Sequence, residues 1–136
     1  LERQTGQIVV ISSLASFQGL LYHGSYCASK AAMNAFFESL RLDVRDRGID
    51  VTIITPGFVK TEMTAHSRYP MPFLMELDPA LDLMVKGIRK RKKLIRFPAP
   101  LSTATFWARI LPRSTYDWMV GKVMGGGRDR GIRTGA

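Results

Sequence analysis

The sequence has almost no thiol chemistry to offer: Cys27 is the only cysteine in 136 residues. One thiol excludes an intramolecular disulfide and any multi-cysteine metal site, and it suits a reducing compartment. No metal centre is expected. There is no run of about 18 apolar residues, so nothing reads as a membrane-spanning helix. The opening LERQTGQIVV has neither a charged n-region nor a long apolar h-region, so it is not read as a signal peptide, and with the single thiol cytoplasm is the expected location. It also lacks an initiator Met and starts almost directly on an apolar run, which leads us to expect a truncated chain, a fragment of a longer domain. Internal repeats and interdomain linkers are absent too.

What is present is the composition of a soluble globular protein, with 46% hydrophobic residues and ordinary Gly and Pro. The net charge of +9 is unevenly placed. Residues 1–80 are nearly balanced, whereas KGIRKRKKLIR (86–96) and the tail GGGRDRGIRTGA (125–136) hold most of the basic excess. Clustered Lys and Arg are the footprint of a nucleic-acid or anionic-lipid surface, and equally of a solvated helix end whose cations suit the C-terminal dipole. The aromatic, amphipathic TFWARILPRSTYDWMV beyond it keeps peripheral membrane contact open.

GQIVVISS reads as a strand buried on both faces, and IDVTIITPG as a second one closed by Pro56-Gly57. Between them, residues 25–47 repeat apolar side chains at three and four spacings (Ala32, Ala35, Phe36, Leu40, Val44) and stop at Gly48, a helix with Ser25 as a candidate cap. Strand, long helix, strand is a right-handed βαβ crossover, so the class is α/β with a parallel sheet. DPALDLMVKGIRKRK starts a further helix, with Asp78 as N-cap and Pro79 at N1. KLIRFP is a third short strand. Two amphipathic helices come next, split at Pro112. Residues 58–77, including HSRYPMPFLMEL, read as a long loop or lid.

The chemistry lies in SYCASK. Tyr26 and Lys30, four residues apart, share one helical face. Ser13 ends the first strand, at the carboxyl edge where open α/β sheets bind ligands. A phenol can exchange its proton readily when a fixed positive charge stabilises the phenolate, and Lys30 is placed to supply that charge. Ser13 can hold the same substrate oxygen by a second hydrogen bond. No side chain is a hydride source, so a nicotinamide cofactor completes the chemistry.

ISSLASFQGLLYHGSYCASKAA and then IDVTIITPGFVKTEM resemble the catalytic half of a short-chain dehydrogenase/reductase, over roughly residues 6–97. The family's Ser, then Tyr and Lys at Y-x-x-x-K, match Ser13, Tyr26 and Lys30. Its P-G-x-x-x-T stretch matches Pro56, Gly57 and Thr61. The resemblance implies NADP or NAD as cofactor and a small carbonyl/alcohol substrate, which the apolar lid suggests is hydrophobic. It also implies that Lys30 holds the nicotinamide ribose, that the backbone at Val59 meets the carboxamide, and that Thr61 holds the carboxamide or pyrophosphate.

A homodimer or homotetramer built through the long helix is the family's habit. The family's glycine-rich turn, cofactor-selecting residue, N-A-G motif and further catalytic Asn are not in this chain, and GGG at 125–127 comes after no strand that could let it replace them.

The expected organisation is therefore the C-terminal half of a Rossmann-like, doubly wound, three-layer α/β/α domain over 1–100, a helical segment over 101–124 and a basic tail over 125–136. The competing expectation is a non-catalytic basic module for anionic membrane or nucleic acid. Enzyme chemistry is the reading preferred, without nucleic acid as a partner. Ser12, Ser16, Ser25 and Ser29 are read as structural, Cys27 as a small buried hydrophobe, Phe36, Phe37 and Leu40 as core, and His23 and His66 as loop histidines.

Overall fold

The computed structural model describes residues 5–65 and 70–125. His66 and the tail beyond Gly125 lie outside the described residues. The elements run β1 (Gly6–Ile11), α1 (Gly24–Asp43), β2 (Ile49–Pro56), a single-turn α2 (Glu62–Ala65), α3 (Leu77–Arg89), β3 (Leu94–Phe97), α4 (Ala99–Ala108) and α5 (Arg113–Gly125). The strands form one parallel sheet in the order β1-β2-β3, with Ile11 beside Ile54 and Pro56 beside Phe97. The α/β class expected from the periodicities is the class found.

Alternation along β2 divides the core into two layers. Val51 and Ile53 face α1, where Val44, Phe37 and Leu40 meet them. Ile54 faces the other way, with Ile95 and Phe97 of β3, onto Ala80, Met84 and Ile88 of α3. Helices therefore cover opposite faces of the sheet. Both crossovers step the same way along it, so they differ in hand, and one is of the rare left-handed kind.

Four local expectations are corrected. In β1 the α1 side is the better covered: Val10 is buried, whereas on the other side α3 reaches Gln7, which donates to the Ile88 carbonyl, but leaves Ile11 56% exposed. On α1 the inward stripe is Cys27, Lys30, Asn34, Phe37, Leu40 and Val44, so Phe36 points outward, 63% exposed. His23, not Ser25, occupies the N-cap of α1, and it caps without a side-chain bond. Glu76 takes the N-cap of α3, which leaves Asp78 as a first-turn acid suited to the helix dipole. Gly48 does end the α1 region, in the left-handed conformation at φ 66° that glycine adopts without penalty.

The basic segment 86–96 brackets the amino end of β3. Arg91 there bonds Asp50 at the start of β2 (2.6 Å). Helix α4 starts from the opposite, carboxyl end of β3. Among the described residues, no helix is long and apolar enough to cross a membrane.

Gly87 seats α3 on β3, since an added Cβ would meet Ile95 Cδ1 and, at 2.7 Å, Cγ1. Gly87→Val should destabilise the protein by about 1–3 kcal/mol through overpacking, read as a lower urea midpoint at unchanged slope. An unchanged midpoint would contradict this seating.

Candidate active site

All three strands discharge their carboxyl ends at one edge, and that edge gathers the serine, the tyrosine–lysine pair and the Pro-Gly turn. After β1 the backbone stays in the ladder for one more residue, with the Ser12 amide donating to the Ile54 carbonyl at 2.7 Å. Ser13 then opens a single 3-10 turn, Leu14–Ser16, where its Oγ accepts from the Ala15 amide at 3.1 Å. That bond uses a lone pair and leaves the hydroxyl proton available to an incoming oxygen.

Behind Ser13 lies a short polar relay. Asn34 Nδ2 donates to Ser16 Oγ (2.7 Å), and Ser16 Oγ donates to the Ser13 carbonyl (2.6 Å). Asn34 is 7% exposed, and its Oδ1 has no hydrogen-bond partner among the described residues. Sequence reasoning passed over Asn34, although a polar residue on the inward stripe of α1, among apolar ones, calls for a partner.

Tyr26 and Lys30 stand in the first two turns of α1, as their spacing requires. Lys30 Nζ lies 5.7 Å from the Tyr26 ring centroid and donates to the Ile11 carbonyl at 3.3 Å. Ser12 Oγ bonds the Lys30 carbonyl at 3.4 Å. Both ends of Lys30 are thus tied to the end of β1. The Tyr26 side chain stays accessible, with the residue 43% exposed.

After β2, the Gly57 amide donates to the Phe97 carbonyl at 2.7 Å. A Cβ at Gly57 would meet Leu101 Cδ2 at 2.7 Å and Pro98 Cδ at 3.0 Å, so glycine lets α4 close onto this turn. Val59 then forms an isolated parallel bridge with Met75, made by the Lys60 amide to the Met75 carbonyl (2.8 Å) and the Met75 amide to the Phe58 carbonyl (3.0 Å). The amide of Val59 itself takes no part in that bridge.

Thr64 organises the next turn of chain. Its Oγ1 accepts from the Thr61 amide and donates to the Val59 carbonyl, both at 2.8 Å. This is the reciprocal half of a capping box at the start of α2, carried by the pattern T-x-x-T. Ser13, Tyr26, Lys30, Pro56 and Gly57 therefore share one edge. Val59 and Thr61 are joined to each other, one turn further along the segment that crosses it. His23 Nδ1 pairs with the Leu21 carbonyl (2.8 Å), and Cys27 is buried as expected. Among the described residues no group of His, Cys, Asp and Glu is arranged to hold a metal.

The sequence matches the family model for short chain dehydrogenase over residues 1–71, more than half of the chain. It is 49% identical over 116 residues to an uncharacterized oxidoreductase of Myxococcus xanthus, covering 85% of this chain and 46% of that protein. With dehydrogenase/reductase SDR family member 7B of Danio rerio the identity is 39%, over 82% of this chain and 40% of that protein. The chain spans less than half the length of these curated relatives.

Among solved structures, a short chain dehydrogenase from Burkholderia cenocepacia in complex with NADP superposes with a TM-score of 0.73 at 20% identity, over 88% of this chain and 49% of that one. A short-chain dehydrogenase from Sphingobium yanoikuyae in complex with NADPH gives 0.65 at 23%, over 99% and 50%. Both are likenesses of fold.

Thr64→Val removes the hydrogen bonds of Thr64 Oγ1, including the one it accepts from the Thr61 amide, whereas Thr64→Ser keeps them. We expect hydrogen exchange at the Thr61 amide to quicken about fivefold in the Val variant, the equivalent of one hydrogen bond of about 1 kcal/mol, and to stay unchanged in the Ser variant. Equal rates in all three proteins would remove Thr64 from this role.

Proposed function

The chain belongs to the short-chain dehydrogenase family, and on that premise we propose that it carries the proton-transfer side of a nicotinamide-dependent oxidoreductase site acting on a carbonyl/alcohol pair. The observation that carries the proposal is the position of Lys30. Its ammonium links the Tyr26 ring to the end of β1, two residues before Ser13.

The residues present fit the nicotinamide-riboside end of a dinucleotide. Lys30 has three N–H donors, of which the Ile11 carbonyl takes one, leaving two for ribose hydroxyls. The Val59 amide, outside the Met75 bridge, and the Thr61 hydroxyl are the groups that would hold the carboxamide. When bound, the cofactor supplies a hydride to the carbonyl carbon. NADP or NAD is proposed, supported by the same fold in proteins solved with NADP and NADPH.

In the reductive direction Ser13 Oγ donates a hydrogen bond to the substrate carbonyl oxygen and fixes its position. Tyr26 Oη transfers its proton to that oxygen as negative charge develops there. The Lys30 ammonium, 5.7 Å from the Tyr26 ring centroid, stabilises the phenolate that results. Oxidation runs the same steps backward, with Tyr26 taking the alcohol proton.

Phe73 and Leu74, 56% and 44% exposed on the crossing segment, support an apolar substrate. The outward Phe36 and Leu42 of α1, 63% and 65% exposed, support self-association through that helix.

The test is turnover of a ketone panel by the intact protein with NADPH and NADH. Tyr26→Phe should lower kcat by roughly 10²–10⁴, the usual worth of a positioned general acid, with nicotinamide binding retained. Turnover unaffected by the substitution would refute the proposal.

A further inference from the structure

The helices α4 and α5 lie beyond the stretch matched by the family model, which ends at residue 71. The proton transfer proposed at the strand edge uses no side chain from either. Besides the seat of Leu101 against Gly57, they reach across the fold to the segment 17–22 that joins Ser13 to the helix bearing Tyr26. Gln18 Nε2 donates to the Ala108 carbonyl at 3.0 Å. The Arg109 guanidinium lies 5.7 Å from the Phe17 ring centroid. The Tyr116 hydroxyl donates to the Gly19 carbonyl at 2.6 Å. Tyr116 is 8% exposed, while Thr115, Asp117 and Trp118 beside it are open to solvent, so α5 docks through this phenol.

The clamped segment carries a strained residue. Tyr22 has φ 63°, a left-handed conformation that costs a bulky side chain on the order of 1–3 kcal/mol and persists only where the surroundings over-determine it. It stands between Gly19, held by Tyr116, and Gly24, the first residue of α1. The direction in which α1 sets out, and with it the aim of Tyr26, depends on that turn.

We infer that α4 and α5 form a strap over residues 17–22, with Tyr116 as the positioning residue that fixes the approach of Tyr26 to Ser13. Cys27, 6% exposed in the first turns of α1, is a neighbour of Tyr116, so loosening of the strap is read at its thiol. Burial, and then the neighbouring Cys27, push the Tyr116 phenol above its ordinary value near 10, so it stays a donor throughout the neutral range. Its catalytic consequence rests on the oxidoreductase reading; the strap itself does not.

Two readouts separate the strap from its catalytic consequence. In the intact protein, alkylation of Cys27 by N-ethylmaleimide is monitored by peptide mass spectrometry for the unsubstituted protein, Tyr116→Phe and Gln18→Ala. Loss of one hydrogen bond of about 0.5–1.5 kcal/mol predicts alkylation roughly two- to tenfold faster in Tyr116→Phe. Should that variant fail to fold, Gln18→Ala carries the same comparison. A rate within twofold of the unsubstituted protein overturns the strap.

In the kinetic arm, Tyr116→Phe should lower kcat while leaving KM for NADPH unchanged, and an unchanged kcat overturns the positioning role. If the unsubstituted protein turns over no ketone, it is the oxidoreductase reading that fails, and the alkylation rates still decide the strap.

Discussion

Parallel register is the constraint on which the rest depends. Because β1, β2 and β3 point the same way, with Ile11 beside Ile54 and Pro56 beside Phe97, three unrelated stretches of chain leave the sheet at one edge: Ser12-Ser13, Pro56-Gly57 and Pro98. Each must turn sharply, and local bonds satisfy the backbone as it does so. Ser13 caps its 3-10 turn, Gly57 bonds the Phe97 carbonyl, and Thr64 closes the turn after Val59. A parallel pair requires a long crossover, which is why α1 exists and why its first turns open at that same edge. The chemistry proposed for this edge needs no strained catalytic residue, only side chains of the right kind leaving adjacent strand ends.

In the proposed site Lys30 is the residue that ties this arrangement together. A lysine is flexible and ordinarily solvated, yet here its ammonium and its carbonyl are both held to the end of β1, by Ile11 and Ser12. The charge beside Tyr26 is therefore fixed relative to the strand that presents Ser13. Fixed charge does more than mobile charge of equal size, because no reorganisation is needed when the phenolate forms. The relay from Asn34 through Ser16 to the Ser13 carbonyl performs the same service on the other side.

Much of this is legible in the residue pattern. The strands show as short β-branched runs, and the long helix by its period and by Gly48. The spacing of Tyr26 and Lys30 sets them one helical turn apart, and Ser13 follows the end of β1, as the strand-helix pattern requires. The features that are not legible depend on information the local pattern lacks. Phe36 and Phe37 are neighbours of equal hydrophobicity, and only the phase of α1 against β2 decides that Phe37 goes in. Asp78 before Pro79 has the pattern of a helix start, yet the chain enters α3 from the bridge at Met75 and the helix begins sooner, at Leu77. The exposure of Ile11 depends on which strands α3 covers. The strap is hidden for a different reason: Tyr116 and Gly19 are 97 positions apart, and no periodicity connects them.

The central claim is that this edge holds the nicotinamide end of a cofactor with Lys30 as its anchor. The most direct measurement is a fluorescence titration of the intact protein with NADPH and with NADH, repeated with Lys30→Ala. Saturable binding of at least one nucleotide, weakened tenfold or more in the variant by loss of charge-assisted hydrogen bonds of about 1.5–3 kcal/mol, is the predicted result. Failure of the intact protein to bind either nucleotide, or binding indifferent to Lys30, would contradict it.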